Sequence, residues 1–316
     1  MSEKVYVGID TSNYTTSLAI VDGEGKVLLN RKQLLPVAQG MAGLRQSDAL
    51  FAHTKALPGI LEEAKALVGD AEVLGVGVSV TPRNREGSYM PCFLAGVSAA
   101  EALSFGAGLP CLHFSHQCGH LMAAIGSSGA THLLSGAPFL AFHLSGGTTE
   151  MLYCRFADGS FVSDIVGGTA DISAGQLIDR VGVEMGLAFP CGREIEALAQ
   201  TYTGKLPKAK IVCREGKVNL SGYQNKICQM YRETGDKAFA SAYTLYVICQ
   251  AVKAILASHE ECQTLPVLFS GGVMSCAYLQ TEMKAICDGY FAPPAFSSDN
   301  AVGIAWLTKW KTEKGE

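Results

Sequence analysis

Val5-Tyr6-Val7-Gly8-Ile9-Asp10, then Thr11-Ser12-Asn13-Tyr14-Thr15-Thr16, then Leu18-Ala19-Ile20-Val21 closed by Asp22-Gly23, reads as a strand, a small polar turn and an antiparallel strand. The same order returns at Phe139-Leu140-Ala141-Phe142-His143, Leu144-Ser145-Gly146-Gly147-Thr148-Thr149 and Met151-Leu152-Tyr153-Cys154. Displacing the first stretch by 133 residues puts Ser12 on Ser145 and Thr15-Thr16 on Thr148-Thr149, and leaves the strands apolar except at Asp10, which falls on His143. The chain reads as duplicated. An α/β protein of two related domains is expected, 1–133 and 134–316, with part of the C-terminal helix region packing back on the first. Turns of Gly, Ser and Thr bare backbone N–H groups and hydroxyls, the donors that hold phosphate oxygens. One such hairpin per half suggests a nucleotide between the domains; two ordinary hairpin turns are the plainer reading.

The stretch between the hairpins is regularly patterned. Residues 47–68 place Leu50, Phe51, Leu57, Ile60, Leu61, Ala64 and Leu67 at helical spacing, with an interruption expected at Pro58. Val73 to Val80 reads as a strand, Phe93 to Phe105 as a buried helix stopped by Gly106-Ala107-Gly108, and Cys111 to Phe114 as a strand. In Ser115-His116-Gln117-Cys118-Gly119-His120, Ser115 is placed to cap a helix on which His116 and His120 share a face. Imidazoles one turn apart can converge on an ion, but zinc or iron takes three or four protein ligands, so more must come from elsewhere. Two solvated histidines are the alternative.

In the second half, Asp171 and Asp179 fall eight apart on a helical pattern and could meet ribose hydroxyls, a metal or solvent. Lys205, Lys208, Lys210, Arg214 and Lys217 mark a solvated loop or a contact to RNA phosphates. A long apolar helix from Ala238 to Leu256 leads to the strand Pro266 to Phe269 and to Ser270-Gly271-Gly272, whose bared backbone can lie against an adenine or a phosphate. Asp299, placed in the first turn of a helix from Ala301 to Trp310, is the candidate third ligand, although acids there also suit the helix dipole. Histidines and carboxylate are expected to meet across an interdomain cleft.

Composition bounds the reading. With 316 residues, 48% of them hydrophobic and 17% charged, the chain can build two cores. A net charge of −4 gives no global attraction to nucleic acid or anionic membrane. The 11 cysteines show no CxxC pair and the N-terminus no signal-peptide pattern, so reduced thiols in a cytosolic protein are expected. No apolar run of about 18 residues is expected to span a bilayer.

These motifs together resemble the tRNA threonylcarbamoyladenosine transferases, once named glycoproteases, of the actin, hexokinase and Hsp70 superfamily. The likeness runs from Gly8 to Ala305. It rests on the paired His116 and His120, on Asp299-Asn300, on Ser145-Gly146-Gly147 at the Ser-Gly-Gly hairpin, and on Asp179 at the ribose-contacting aspartate. Pro190-Cys191-Gly192 with Glu196 matches a Pro-Gly-Gly turn and its acid, and Gly271-Gly272-Val273 matches a Gly-Gly-Val turn. His143 takes the position of a tyrosine that binds the metal in some members.

The resemblance implies two actin-like (ribonuclease H-like) domains with an interdomain nucleotide cleft. It implies one divalent ion, iron or zinc, on His116, His120, Asp299 and His143, and admits magnesium beside it. ATP or an acyl-adenylate would lie on Leu144, Ser145, Gly146, Gly147, Thr148, Asp179, Gly192, Glu196, Gly271, Gly272 and Cys276. The implied reaction moves a threonylcarbamoyl group to a tRNA adenine, with tRNA and protein partners of threonylcarbamoylation as further contacts. The chain departs from the family at Asn13 and Tyr14 (acidic there), Thr148 (histidine), Ile172 and Gln176 (aspartate and glutamate), and Cys276 (asparagine). A divergent paralogue fits these departures, with carbamoyl-type transfer to a small molecule or a non-catalytic nucleotide-binding role as alternatives. A metallopeptidase does not fit: His259-Glu260 is followed by Gln263 where HExxH needs its second histidine.

Overall fold

A computed structural model describes residues 4–12, 14–36, 44–259 and 264–315. The departure at Asn13 and the Glu260 and Gln263 positions lie outside the described residues. In chain order the elements are β1 (Lys4–Asp10), β2 (Thr15–Asp22), β3 (Val27–Leu34), α1 (Gln46–Val68), β4 (Glu72–Thr81), α2 (Phe93–Ala107), β5 (Cys111–Ser115) and α3 (His116–Ser128). There follow β6 (Phe139–Leu144), β7 (Thr149–Ala157), β8 (Ser160–Thr169), α4 (Ala174–Glu184), α5 (Gly192–Gln200), β9 (Lys217–Val218), α6 (Ser221–Thr234) and α7 (Lys237–Ala257). The chain closes with β10 (Val267–Ser270), α8 (Ala277–Lys284), β11 (Gly289–Phe291), α9 (Pro294–Ser297) and α10 (Val302–Lys314).

Two compact units result. The first holds Met1–Gly136, Phe156–Val162 and Ser298–Glu316, and the second Ala137–Arg155 and Ser163–Ser297. The final helix lies in the first unit, and so does the segment 156–162, for which the sequence offered no sign. Trp310 of α10 explains part of this, since its ring meets Phe156 edge-on at 4.9 Å.

The sheets repeat one topology, β3-β2-β1-β4-β5 in the first unit and β8-β7-β6-β10-β11 in the second, extended past β8 by β9. The repeat holds at the level of paired residues. Gly8 faces Ala19 in the first hairpin, and Ala141 faces Leu152 in the second, the same partners displaced by 133. In both, the central strand also pairs in parallel with a strand that follows a helix. Strands covered on both faces read as unbroken apolar runs, which is why β1 is buried from Val5 to Asp10.

In the first unit Leu57, Ile60 and Ala64 of α1 pack with Val5, Ile9 and Val78, while α10 packs against β1, β4 and α3. The α10 side is made shallow by glycine. A methyl group at Gly8 would strike the backbone of Ala305 and Ala301, one at Gly77 the Thr308 side chain, and one at Gly303 the carbonyl of Gly119 on α3. Gly8 and Gly77 are direct partners in the β1–β4 ladder, so the glycines form one patch.

Two expectations change. Pro58 does not interrupt α1, which runs unbroken from Gln46 to Val68; packing of both halves of the helix on one core outweighs the missing N–H. The chain also does contain a helix long and apolar enough by composition to cross a membrane, α7, but most of that stretch is buried in the protein. Tyr243, Val247, Ile248 and Val252 of α7 lie in the core of the second unit with Leu140, Phe142 and Phe269. All ten described cysteines are free.

Replacing Gly8 or Gly303 with alanine should lower stability by about 1–3 kcal/mol through overpacking, seen as a lower urea midpoint at constant slope. Gly146→Ala, which meets open space, should stay within about 0.5 kcal/mol.

Candidate functional site

The histidine pair sits where β5 turns into α3. Ser115 caps the helix, its hydroxyl accepting the Cys118 N–H at 3.2 Å, so His116 occupies the first helical position and His120 the next turn. Their Nε2 atoms lie 2.9 Å apart with the rings at 76°. Asp299 Oδ1 is 3.3 Å from His120 Nε2 and 3.7 Å from His116 Nε2. Asp299 precedes α10 instead of lying in its first turn; Asn300 makes the turn, its side chain donating to the Ser298 carbonyl at 2.8 Å and accepting the Val302 N–H at 3.0 Å. Thr15 contacts the other Asp299 oxygen at 3.4 Å. All these residues belong to the first unit, so the triad is completed by the returning C-terminal segment and not across a domain boundary.

A residue that sequence reading did not assign stands behind the pair. Asp10, at the end of β1 and 1% exposed, places Oδ2 2.7 Å from His116 Nδ1 and accepts the Ser12 N–H on Oδ1 at 2.9 Å. The signal was an acid closing an apolar strand. Burial opposes charge on His116, but the Asp10 carboxylate, with Asp299 beyond it, outweighs that cost and holds the imidazole at about 9. Burial likewise raises Asp299, and the two histidines pull it far below the usual carboxylate range.

The donor set fits a zinc-class ion. Ligand atoms about 2.0–2.1 Å from a tetrahedral ion stand about 3.3 Å from each other, and the three separations here, 2.9, 3.3 and 3.7 Å, straddle that value. Carboxylate support of a ligating histidine through its other nitrogen is the usual outer layer of such sites. His143 lies in the second unit, where its Nδ1 is 3.1 Å from Ser270 Oγ.

In the second unit, the ends of β6 and β10 carry the loops singled out from sequence. Ser145 Oγ accepts the N–H groups of Gly147 and Thr148 at 3.3 and 3.1 Å and shares 3.3 Å with the Thr148 hydroxyl. Gly271 lies against the Leu144 backbone with φ of +94°, a close approach that a side chain would block. The α4 N-terminus docks on the same hairpin, since Ser173 donates to the Gly146 carbonyl at 2.9 Å and Gly175 N–H to that of Ser145 at 3.2 Å. Gln176 completes a capping box with Ser173.

Other candidates are partly committed to backbone. Asp179 Oδ1 accepts the Cys191 N–H at 2.9 Å, just before Gly192 opens α5. Glu196 Oε1 accepts the Ala277 N–H at 2.7 Å, beside Cys276, whose buried thiol is pushed up to about 12. Asp171 is not on the helix with Asp179, because α4 begins at Ala174. Its carboxylate takes the N–H groups of Ile172, Leu220 and Ser221 at 2.7 to 2.9 Å, and these donors keep it ionised against the effect of burial. It is a structural clamp at the start of α6. His259 Nε2 is 2.7 Å from the Val166 carbonyl.

The family model for tRNA N6-adenosine threonylcarbamoyltransferase (TsaD) matches residues 38–306. Among curated proteins, the tRNA N6-adenosine threonylcarbamoyltransferase of Enterococcus faecalis is 29% identical over 293 residues, covering 89% of this chain and 80% of that protein. Among solved structures, (R)-2-hydroxyglutaryl-CoA dehydratase component A of Acidaminococcus fermentans superposes with a TM-score of 0.54 at 11% identity, covering 99% of this chain and 100% of that one. A ROK family glucokinase from Streptomyces griseus, in complex with glucose and AMPPNP, gives 0.51 at 13% identity over 97% and 99% of the two chains. Likeness at such identities speaks to the fold, actin-like α/β in both units.

His116→Ala or Asp299→Ala should each strip bound metal while the far-ultraviolet circular dichroism is unchanged, measured by elemental analysis. Asp10→Asn keeps all three ligands and should weaken metal affinity by about 10–100-fold. In chelator-treated protein, the His116–Asp10 pair should stabilise fully below about pH 6.5 and lose that contribution as pH rises through about 9. Thermal melts across this range should show the loss in the natural protein and not in Asp10→Asn.

Proposed function

The chain belongs to the tRNA N6-adenosine threonylcarbamoyltransferase family, and from that premise we propose a metal-dependent transferase that moves a threonylcarbamoyl group from its adenylate to a tRNA adenine. The observation that carries this reading is the convergence of His116, His120 and Asp299 with Asp10 buried behind them. Asp10 holds the Nδ1 proton of His116, which leaves the Nε2 lone pair for an ion. His143, the further ligand that the family likeness implies, hydrogen-bonds Ser270 within the second unit. When bound, the ion, iron or zinc, supplies Lewis-acid polarisation of the carbamoyl carbonyl and a fixed template.

The remaining work falls to loops and backbone. The exposed Gly146–Gly147 turn of the Ser145–Thr148 hairpin leaves room for an adenylate phosphate to reach its backbone N–H groups, those of Gly147 and Thr148 exchanging the Ser145 hydroxyl for a phosphate oxygen. The same donors would stabilise charge developing in transfer. Asp179, with one oxygen on the Cys191 N–H, has the other for a ribose hydroxyl. Gly192, Glu196, Gly271 and Gly272 frame the base, and Cys276, neutral at physiological pH, serves as wall and not as nucleophile. The exposed Lys205, Lys208, Lys210 and Arg214 would meet tRNA phosphates. In this reading the protein works in the cytosol with the proteins that make the adenylate.

Thr148 and Cys276, where the family carries histidine and asparagine, favour a second reading, carbamoyl-type transfer to a small molecule. The test is incubation with ATP, threonine, bicarbonate and an adenylate-forming enzyme, with and without tRNA. Threonylcarbamoyladenosine in tRNA, lost in His116→Ala, is the expected result. Adenylate bound without tRNA product would move the acceptor to a small molecule, and neither binding nor product would overturn the proposal.

A further inference from the structure

A second set of ligand-type side chains lies elsewhere in the first unit. Cys111 and His113 are two residues apart on β5 and so point to the same face, and Glu101 reaches them from α2. His113 Nε2 is 2.9 Å from Glu101 Oε1, and all three ligand atoms lie within 4.8 Å of one another. His113 and Glu101 side chains are 48% and 53% exposed, so an ion can enter from solvent. β5 is an edge strand.

We propose that Glu101, Cys111 and His113 form a second metal site, for a zinc-class ion with water in the fourth position, that ties α2 to the edge strand β5. One thiol, one imidazole and one carboxylate is a donor set that zinc accepts and that calcium or magnesium does not favour. Ser104 supplies independent support. The residue is 2% exposed, and its buried hydroxyl, on α2 one turn after Glu101, has no hydrogen-bond partner. Burial and the Glu101 carboxylate push the free thiol up; binding replaces the thiol proton, which leaves to solvent, by the ion. The strand being tied is the one that launches α3 at Ser115, so the role is structural and its ligands are separate from the histidine pair.

Sulfur makes the two sites separable, because the group His116, His120 and Asp299 contains none. Chelator-treated full-length protein is titrated with cobalt(II), whose thiolate complexes absorb in the near ultraviolet by charge transfer. A band saturating by two equivalents is expected, since the His116, His120 and Asp299 group also takes up the ion; it should be displaced by zinc, lost in Cys111→Ser and His113→Ala, and saturate at one equivalent in Asp299→Ala. No band at about tenfold excess, or a band surviving in Cys111→Ser, overturns the site. As a second measurement on the unmutated chain, zinc should slow alkylation of Cys111 at least about tenfold, followed by peptide mass spectrometry; an unchanged rate overturns it equally.

Discussion

The seating of α10 on a glycine patch is the contact from which the first unit takes its geometry. Gly8 and Gly77 let the helix approach the sheet to backbone distance, and Gly303 against Gly119 does the same toward α3. Close approach on two sides leaves little freedom to slide or roll, since packed interiors resist even a methyl group's displacement. Asp299 enters α10 through the Asn300 turn and inherits that position. A carboxylate that stands 3.7 and 3.3 Å from two imidazole nitrogens is thus held by helix packing more than by its hydrogen bond from Thr15, which is long at 3.4 Å.

The duplicated sheets show how one scaffold takes on two tasks. Both carry a hairpin in the same register, and the central strands bear a polar residue at equivalent positions near their ends. In the first unit that residue is Asp10, which fixes His116 on α3; in the second it is His143, one residue before the end of β6, which shares a hydrogen bond with Ser270 on the neighbouring strand. The hairpin turns differ accordingly. The second, with Gly146 and Gly147, is open to solvent, whereas Thr11 and Ser12 are buried and Thr11 donates to the Cys92 carbonyl at 3.0 Å. Equal backbones and unequal turns give one half a rigid support and the other an exposed rim of donors.

Much of this could be read in the residues. The apolar strand runs, the displaced hairpin and the i, i+4 histidines are local signals, and the structure keeps each of them, as it does the Ser115 cap. What could not be read depends on contacts distant in sequence. Asp10 meets His116 across 106 residues and Asp171 clamps Leu220 and Ser221 across about 50, so neither role leaves a trace in spacing. Pro58 misleads because propensity speaks of an isolated helix, and tertiary packing decided otherwise. Asp299 was legible as a ligand candidate but misplaced by a few residues, the ordinary error at helix ends.

That α10 follows the whole of the second unit has a consequence for how the protein comes into being. A ribosome must deliver residues 137–297 before the helix that closes the glycine patch and the carboxylate that completes the triad can emerge. Until then the five-stranded sheet of the first unit lacks the helix that covers its glycine patch, and its histidine pair lacks the carboxylate beside it. A chain interrupted before Ser298 would therefore carry His116 and His120, and Asp10 behind them, without Asp299, the third member of their group.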